Sequence, residues 1–448
     1  MLGMPVASSS TNSLIARSSE SLPSVTSFEE LPALHTPEEL QALYTPPTAD
    51  SDPKPAPAAS TSRCSRWSAL LRNLPVQASG IALNIVAAAR LLHLLGEAST
   101  GWQPTLQMIS RALHVESALL LALCTVRALS WPAQLRSRRV CSSHGALLIA
   151  IQLLGADLHR SCGAPMELPW RVVVHAAVIL NYLLCAHFLR LCWKRRSRPE
   201  PFWFPATVST ATIAIVGPEV GTPRLVSLVG LLVGCAFALV LWPPCVWRVM
   251  RHPRRVAPDP TVFVLMAPIP FVTMALFASR PSEHVALLGS AGRILFFILN
   301  CVNVLVCAAA VWQRRHRLRA TLWPFLPSWA SLTFPLVSSC TVAETYAIDL
   351  RIAAATGNAS AAAAFASANF ARALVALTLV VIPLIDLMWI CQLPSWFFRA
   401  PPAPNDSDDD EAERDKGSKR MPRAACLAEP QSESADAEAG LGPVDAGD

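Results

Sequence analysis

Hydrophobic and polar positions fall into long blocks along the chain, with ten apolar stretches between residues 74 and 393. Most stretches approach the ~20 residues that a helix needs to cross the hydrocarbon core of a bilayer. They cover residues 74–96, 108–130, 141–158, 170–193, 202–217, 224–248, 261–279, 285–312, 325–348 and 366–392. Because backbone groups in lipid must be hydrogen-bonded within the chain, the pattern predicts an all-α polytopic membrane protein with ten transmembrane helices.

Basic residues are distributed unevenly among the segments that connect these spans. One cluster precedes span one and four follow spans two, four, six and eight, whereas the other connections hold isolated arginines such as Arg160 and Arg351. The clusters comprise Arg63, Arg66 and Arg72; Arg136, Arg138 and Arg139; Lys194, Arg195, Arg196 and Arg198; Arg251, Arg254 and Arg255; and Arg314, Arg315, Arg317 and Arg319. By the positive-inside rule, both termini are predicted to be cytosolic.

The two ends of the chain are polar and are predicted to be disordered, acidic cytosolic tails that flank a membrane domain at residues 64–398. Residues 1–63 are rich in Ser and Pro, and residues 399–448 hold thirteen acidic and six basic residues. Such segments bury too little apolar surface to fold alone. Ser407, which precedes a run of acidic residues, is one candidate for a regulatory kinase acting on the tails.

Composition excludes an ordinary soluble domain, because 52% of the residues are hydrophobic and only 15% are charged. The thirteen cysteines are scattered, with no CxxC pair and no metal-ligand spacing, so neither a disulfide framework nor a metal or other cofactor is expected. The sequon at Asn358 falls between spans nine and ten, on the predicted outer side, and is a candidate for glycosylation. We expect no nucleic-acid partner.

Prolines are concentrated in several odd-numbered spans. Pro205 enters span five, Pro268 and Pro270 interrupt span seven, and Pro335 lies in span nine; spans two, four and eight have no interior proline. Span three has none either, and span ten contains Pro383. Proline frees a backbone carbonyl, which is tolerated at membrane depth beside a water-filled path. The pattern predicts five helix hairpins around a central pore, with odd spans inside and even spans outside; simple kinking of packed helices is the alternative.

Three motifs then carry a family resemblance. They are Phe202-Trp203-Phe204-Pro205, the segment from Phe263 to Pro268, and Ser331-Leu332-Thr333-Phe334-Pro335 followed by Thr341 and Tyr346. From about residue 70 to 395 the chain resembles the tellurite-resistance/dicarboxylate transporter family, which includes bacterial tellurite-resistance proteins, slow anion channels of plant guard cells, and fungal malate permeases and sulfite pumps. The resemblance implies transport of small anions such as chloride, nitrate, sulfite or malate, and a homotrimer with one pore per subunit.

The resemblance also implies that a phenylalanine in the ninth span plugs the pore. By its place before Pro335, Phe334 is that residue, and the pore is then lined by Pro205, Pro268, Pro270, Thr333 and Pro335. A ring in a narrow tube blocks it by steric contact and dewetting, and a change of rotamer reopens it. From the residues alone, Phe334 could instead fill the space beside the Pro335 kink.

Ionisable residues inside the predicted spans require a partner or water. Glu344 lies ten residues beyond Phe334, about 15 Å along a helix axis. It either takes up a proton in company with an anionic substrate or pairs with an arginine of another helix, such as Arg293. Four residues near span ends are expected to snorkel towards the membrane surface: Arg127, Asp157, His187 and Asp349.

Several function classes compete for this sequence. The leading hypothesis is an anion channel or transporter in the plasma membrane, with small anions and the lipid bilayer as partners, and the alternative is a proton-coupled dicarboxylate carrier. An intramembrane enzyme would need paired catalytic groups, and His175 and His187 have no carboxylate partners in the sequence pattern. A receptor is disfavoured by ten spans with both termini inside. We therefore expect no enzymatic activity.

Overall fold

A computed structural model describes residues 71, 73–98, 101–162, 164–251, 260–278, 289–320, 327–357 and 359–397. These residues are overwhelmingly helical and include no β-strand, which confirms the all-α prediction. Both tails, with the kinase sites expected there, and the glycosylation candidate Asn358 lie outside the described residues.

Apart from the short 3₁₀ helices Pro132–Arg136 and Pro327–Trp329, the described part of the chain forms ten helical segments. They are α1 (Ala78–Ala98), α2 (Gln103–Ser130), α3 (Arg138–Ser161), α4 (Ala164–Lys194), α5 (Pro201–Val216), α6 (Arg224–Arg251), α7 (Val262–Ala278), α8 (Gly289–Ala320), α9 (Ala330–Ala355) and α10 (Ala361–Phe397). Seven of them are long and apolar enough to cross a membrane, namely α1, α2, α3, α4, α6, α8 and α10, while α5 and α7 are shorter apolar segments. The third helix has 24 residues and is longer than its apolar stretch predicted.

Two odd-numbered segments are not single α-helices. Two 3₁₀ turns alternate with two short α-helices in α5, in the order Pro201–Trp203, Phe204–Thr207, Val208–Ala211 and Thr212–Val216. The 3₁₀ helix Pro260–Met266, which begins two residues before α7, leads into the α-helix Pro268–Ala278. Pro205 and Pro268 lie at the starts of α-helical pieces, where a fixed φ and a missing N–H cost little.

Burial separates the odd helices from the even ones. In their most apolar stretches, α1 and α3 are 72% and 78% buried, whereas the even helices are only 17% to 39% buried. The large apolar side chains that are exposed among the described residues lie on the even helices, apart from Trp102 and Ile352. Examples are Leu239, Leu305 and Val380. The odd helices therefore form the interior, and the even helices carry the surface that suits lipid.

Contacts between the helices close the interior into a ring. Helix α1 packs against α3, α3 against α5, α5 against α7, α7 against α9, and α9 returns to α1. Each odd helix also packs against the even helix that follows it, which is the hairpin arrangement predicted from the sequence.

Prolines do not follow the same division. Pro169 lies inside α4, Pro243 and Pro244 lie inside α6, and Pro383 lies inside α10, although all three helices are continuous. Helix α4 includes Pro169 because it begins before the proline-free apolar stretch 170–193. Broken helices, rather than proline content, distinguish α5 and α7 from the outer helices.

Candidate functional site

The N-terminal parts of the five odd helices enclose a cavity of about 140 Å³. All its described lining residues come from these segments or from the residues directly before them, and none comes from an even helix. They include Ser79 and Leu83 of α1, Ser142 and Ile149 of α3, Phe204 and Pro205 of α5, Pro268 and Phe271 of α7, and Phe334 and Pro335 of α9. The cavity thus lies on the axis of the ring.

Phe334 lines this cavity from the second turn of α9 and is only 9% exposed. Its ring centroid is 5.6 Å from that of Phe271, and the two ring planes are inclined by 59°. Two tilted aromatic rings from neighbouring inner helices therefore lie side by side on the wall of the cavity.

The predicted pore-lining residues divide into two groups. Three of them line the cavity together with Phe334, namely Pro205, Pro268 and Pro335. Pro270 and Thr333 are buried but are not among the residues that line it. The Thr333 hydroxyl donates a hydrogen bond to the carbonyl oxygen of Ala330 at 3.1 Å, within its own helix.

Glu344 is buried in α9 but faces a different direction from the cavity. Because Glu344 follows Phe334 by ten residues, an ideal helix places the two side chains roughly 80° apart around the helix axis. Glu344 then lies on the side of α9 away from Pro335. Arg351 and Arg372 are charges that act on its carboxylate. The side chain of Arg293, its predicted alternative partner, lies outside the described residues.

The lining is weakly polar, and the charge it carries is positive. Arg139 is the one charged residue among the described lining residues, and no carboxylate occurs there. Several lining serines donate their hydroxyl protons to backbone carbonyls: Ser79 to Ser143 at 3.0 Å, Ser331 to Pro260 at 2.7 Å, and Ser142 to Phe202. Such a wall attracts an anion electrostatically and offers few free donors that would retain it.

Buried asparagines hold the irregular helices in place, and the sequence analysis missed them. Each side-chain amide donates a hydrogen bond to a backbone carbonyl at a break or start of an inner helix. The pairs are Asn84 to Ala330 at 2.8 Å, Asn181 to Ser209 at 2.9 Å, and Asn303 to Met266 at 2.8 Å. An amide within an otherwise apolar stretch was the available signal, because a buried amide requires a partner.

A cluster of charged residues lies at the opposite end of the ring from the cavity. It consists of Arg90, His114, Asp157, Arg160 and Glu219, and we call it the ionic cluster. The expectation that Asp157 snorkels to the surface is wrong, because its side chain is 9% exposed and is held between Arg90 and His114.

Comparison with known protein families finds a match over the helical part of the chain. A family model described as SLAC1, voltage-dependent anion channel, matches residues 73–385. The matched range begins before α1 and ends within α10, so it includes every helix that lines the cavity. Among curated proteins, none matches the chain.

Proposed function

Because the chain belongs to the SLAC1 family of voltage-dependent anion channels, we propose that it passes small anions along the axis of its five inner helices and that Phe334 closes this path. Membership supports anion channel or transport activity in a multi-pass membrane protein, and a role other than catalysis. The cavity carries the finer proposal, because all its described lining residues belong to or directly precede odd helices, and the Phe334 ring lies on its wall against Phe271.

The proposed gate is a hydrophobic constriction with a movable side chain. The Phe334 ring rests against Phe271, so the two rings together exclude water from the axis. Pro335 has no N–H, and the carbonyl of Ser331 therefore has no α-helical donor at this point of α9. The helix can bend beside the gate, and a rotamer change of Phe334 opens the path.

Small inorganic anions fit this lining better than a tightly held dicarboxylate. Recognition of two carboxylates favours paired, charge-assisted donors, whereas the described lining provides Arg139 alone as a charged group. Glu344, the candidate for proton coupling, is turned away from the face that bears Phe334 and Pro335. We therefore propose a channel for chloride, nitrate or sulfite, ahead of a proton-coupled malate carrier.

We also propose that the cavity opens to the cytosol of a plasma-membrane protein with both termini inside. The basic clusters around Arg136–Arg139 and Lys194–Arg196 lie at the same end of the helices as the cavity, which supports this orientation. The exposed apolar faces of the even helices then meet lipid and, in the homotrimer implied by the resemblance, neighbouring subunits.

Whole-cell voltage clamp tests the gate most directly. We expect Phe334→Ala to raise anion current by about tenfold or more, since each ~1.4 kcal/mol lost from the closed state gives a factor of ten. Chloride, nitrate and malate are exchanged in turn to rank the permeating anions. Phe365→Ala is the matched control, because Phe365 is 67% exposed on α10 and should leave the current unchanged.

Equal currents from the wild type, Phe334→Ala and Phe365→Ala, with equal amounts at the cell surface, would contradict the proposed gate. Malate currents larger than chloride currents in Phe334→Ala would reverse the order of substrates and favour transport of dicarboxylates.

A further inference from the structure

The ionic cluster joins the far ends of α1, α2 and α3 to the turn after α5. The Glu219 carboxylate accepts a hydrogen bond from Arg90 through Oε1 at 2.6 Å, and the same oxygen is 2.5 Å from Nη2 of Arg160. Asp157 lies 3.4 Å from Arg90 and 2.9 Å from Nε2 of His114. Two guanidinium groups therefore converge on a single carboxylate oxygen of Glu219.

Helical geometry places this cluster over the path that begins at the cavity. Eighteen residues, or five full turns of an ideal helix, separate the lining residue Ser142 from Arg160 on α3. Seven residues, about two turns, separate the lining residue Leu83 from Arg90 on α1. Arg90 and Arg160 thus continue the faces that line the cavity, beyond the Phe334 constriction.

The position of Glu219 is one that a free anion could occupy. Its carboxylate offsets the charge of the two arginines, while its second oxygen, Oε2, is buried and has no hydrogen-bond partner among the described residues. Arg160 is 47% exposed and can meet an anion that arrives from solvent. If the Glu219 side chain rotates away, two guanidinium groups with five N–H donors each are left facing the path.

We infer that Arg90 and Arg160 form an anion-binding site at the outer mouth of the path, and that Glu219 is its tethered occupant. A small anion from outside displaces the carboxylate, and the path then opens at this end. The inference rests on the proposed function, because it assumes that anions move along this axis. Asp157, which is itself paired with His114, orients Arg90.

The test compares full-length variants in a Phe334→Ala background, so that the inner constriction does not mask the outer one. External chloride is varied against gluconate, and the chloride concentration that gives half-maximal anion influx is measured. Removing the competing carboxylate with Glu219→Gln should lower this concentration, roughly tenfold if Glu219 occupies the site nine-tenths of the time. Arg160→Gln should raise it.

Glu97→Gln is the matched control. Glu97 is a carboxylate at the same end of α1, but it is 61% exposed and pairs with His93 rather than with the cluster. We expect its chloride dependence to equal that of the background. The same half-maximal chloride concentration in Glu219→Gln and Glu97→Gln would overturn the inference. If Glu219→Gln does not reach the surface, an unchanged half-maximal chloride concentration in Arg160→Gln would overturn it instead.

A binding measurement separates this inference from the proposed function. Purified full-length protein is unfolded thermally in chloride and in gluconate, because a ligand that binds the folded state raises its stability. Chloride should stabilise Glu219→Gln more than the wild type or Glu97→Gln. Equal stabilisation of the three proteins would overturn the site even if Phe334→Ala conducts. Absence of current in Phe334→Ala, with selective stabilisation of Glu219→Gln, would reject the gate and keep the site.

Discussion

Segments α5 and α6 both contain proline, yet one is broken and the other is not. In α5, 3₁₀ turns interrupt the helix, and the carbonyl of Ser209 accepts a hydrogen bond from Asn181 of a neighbouring helix in addition to those from Thr212. In α6, Pro243 and Pro244 lie within one continuous helix of 28 residues with an exposed apolar face. Lipid has no hydrogen-bond donors for unpaired backbone carbonyls. An irregular backbone is therefore tolerated only in an inner helix, where polar side chains of neighbouring helices can donate.

Close approach of neighbouring helices to its backbone is a second feature of the irregular α5. At Gly145 of α3, an added Cβ would lie 2.1 Å from the carbonyl oxygen of Pro205 in α5. No flexible side chain can yield there, because the opposing atoms belong to the backbone. The irregular α5 is therefore pressed against a glycine of the next inner helix.

Gly145→Ala should have the largest effect on stability, because it forces α3 and α5 apart. We expect it to lower the free energy of unfolding by ~3 kcal/mol or more, at or above the upper end for overpacked sites. Thermal unfolding of the purified protein in detergent measures the change. Gly80→Ala in α1 is the control, because a Cβ there has no atom within 4 Å and alanine favours the helix. Equal stabilities for the two variants would show that the inner helices are not closely packed at α5.

Asn303→Leu tests whether neighbouring amides support the irregular backbone. The change removes the donor to the Met266 carbonyl at 2.8 Å and the acceptor for the Trp242 indole N–H at 3.0 Å. We expect a loss of about 1–3 kcal/mol, the usual cost of a buried polar group left without a partner. Asn369→Leu is the matched control, since Asn369 is exposed on α10 and accepts only from Arg372 among its described contacts. A similar loss in both variants would mean that the inner amides have no special role.

Much of the helical organisation could be predicted from the sequence, because blocks of apolar residues and clusters of basic residues are local signals. The helices followed from such signals, whereas the hairpin arrangement was predicted from the prolines and the place of Phe334 from the family resemblance. Prolines were a less reliable signal for inner helices. A proline marks where a helix could break, and only the neighbours, which sequence does not show, decide whether the freed carbonyl finds a donor.

The supporting contacts could not be predicted in the same way. Arg90 and Glu219 are 129 residues apart in sequence, and no periodicity connects them. Asp157 was expected at the membrane surface because it lies near a helix end, but two cationic or hydrogen-bonding partners from α1 and α2 reach it there. Such long-range pairs form only when the helices of the ring pack against one another in one particular alignment.

Arg139→Gln should have the smallest effect, and it asks whether the positive charge at the cavity acts on passing anions. Arg139 lines the cavity, whereas Arg136, in the preceding 3₁₀ turn, is exposed and does not. In a Phe334→Ala background we expect Arg139→Gln to reduce chloride current about twofold, because an exposed charge beside the path contributes less than ~1 kcal/mol. Raising the ionic strength should shrink the difference, since salt screens such charges. Arg136→Gln is the control, and an equal reduction in both variants would indicate a general surface potential rather than an effect at the cavity itself.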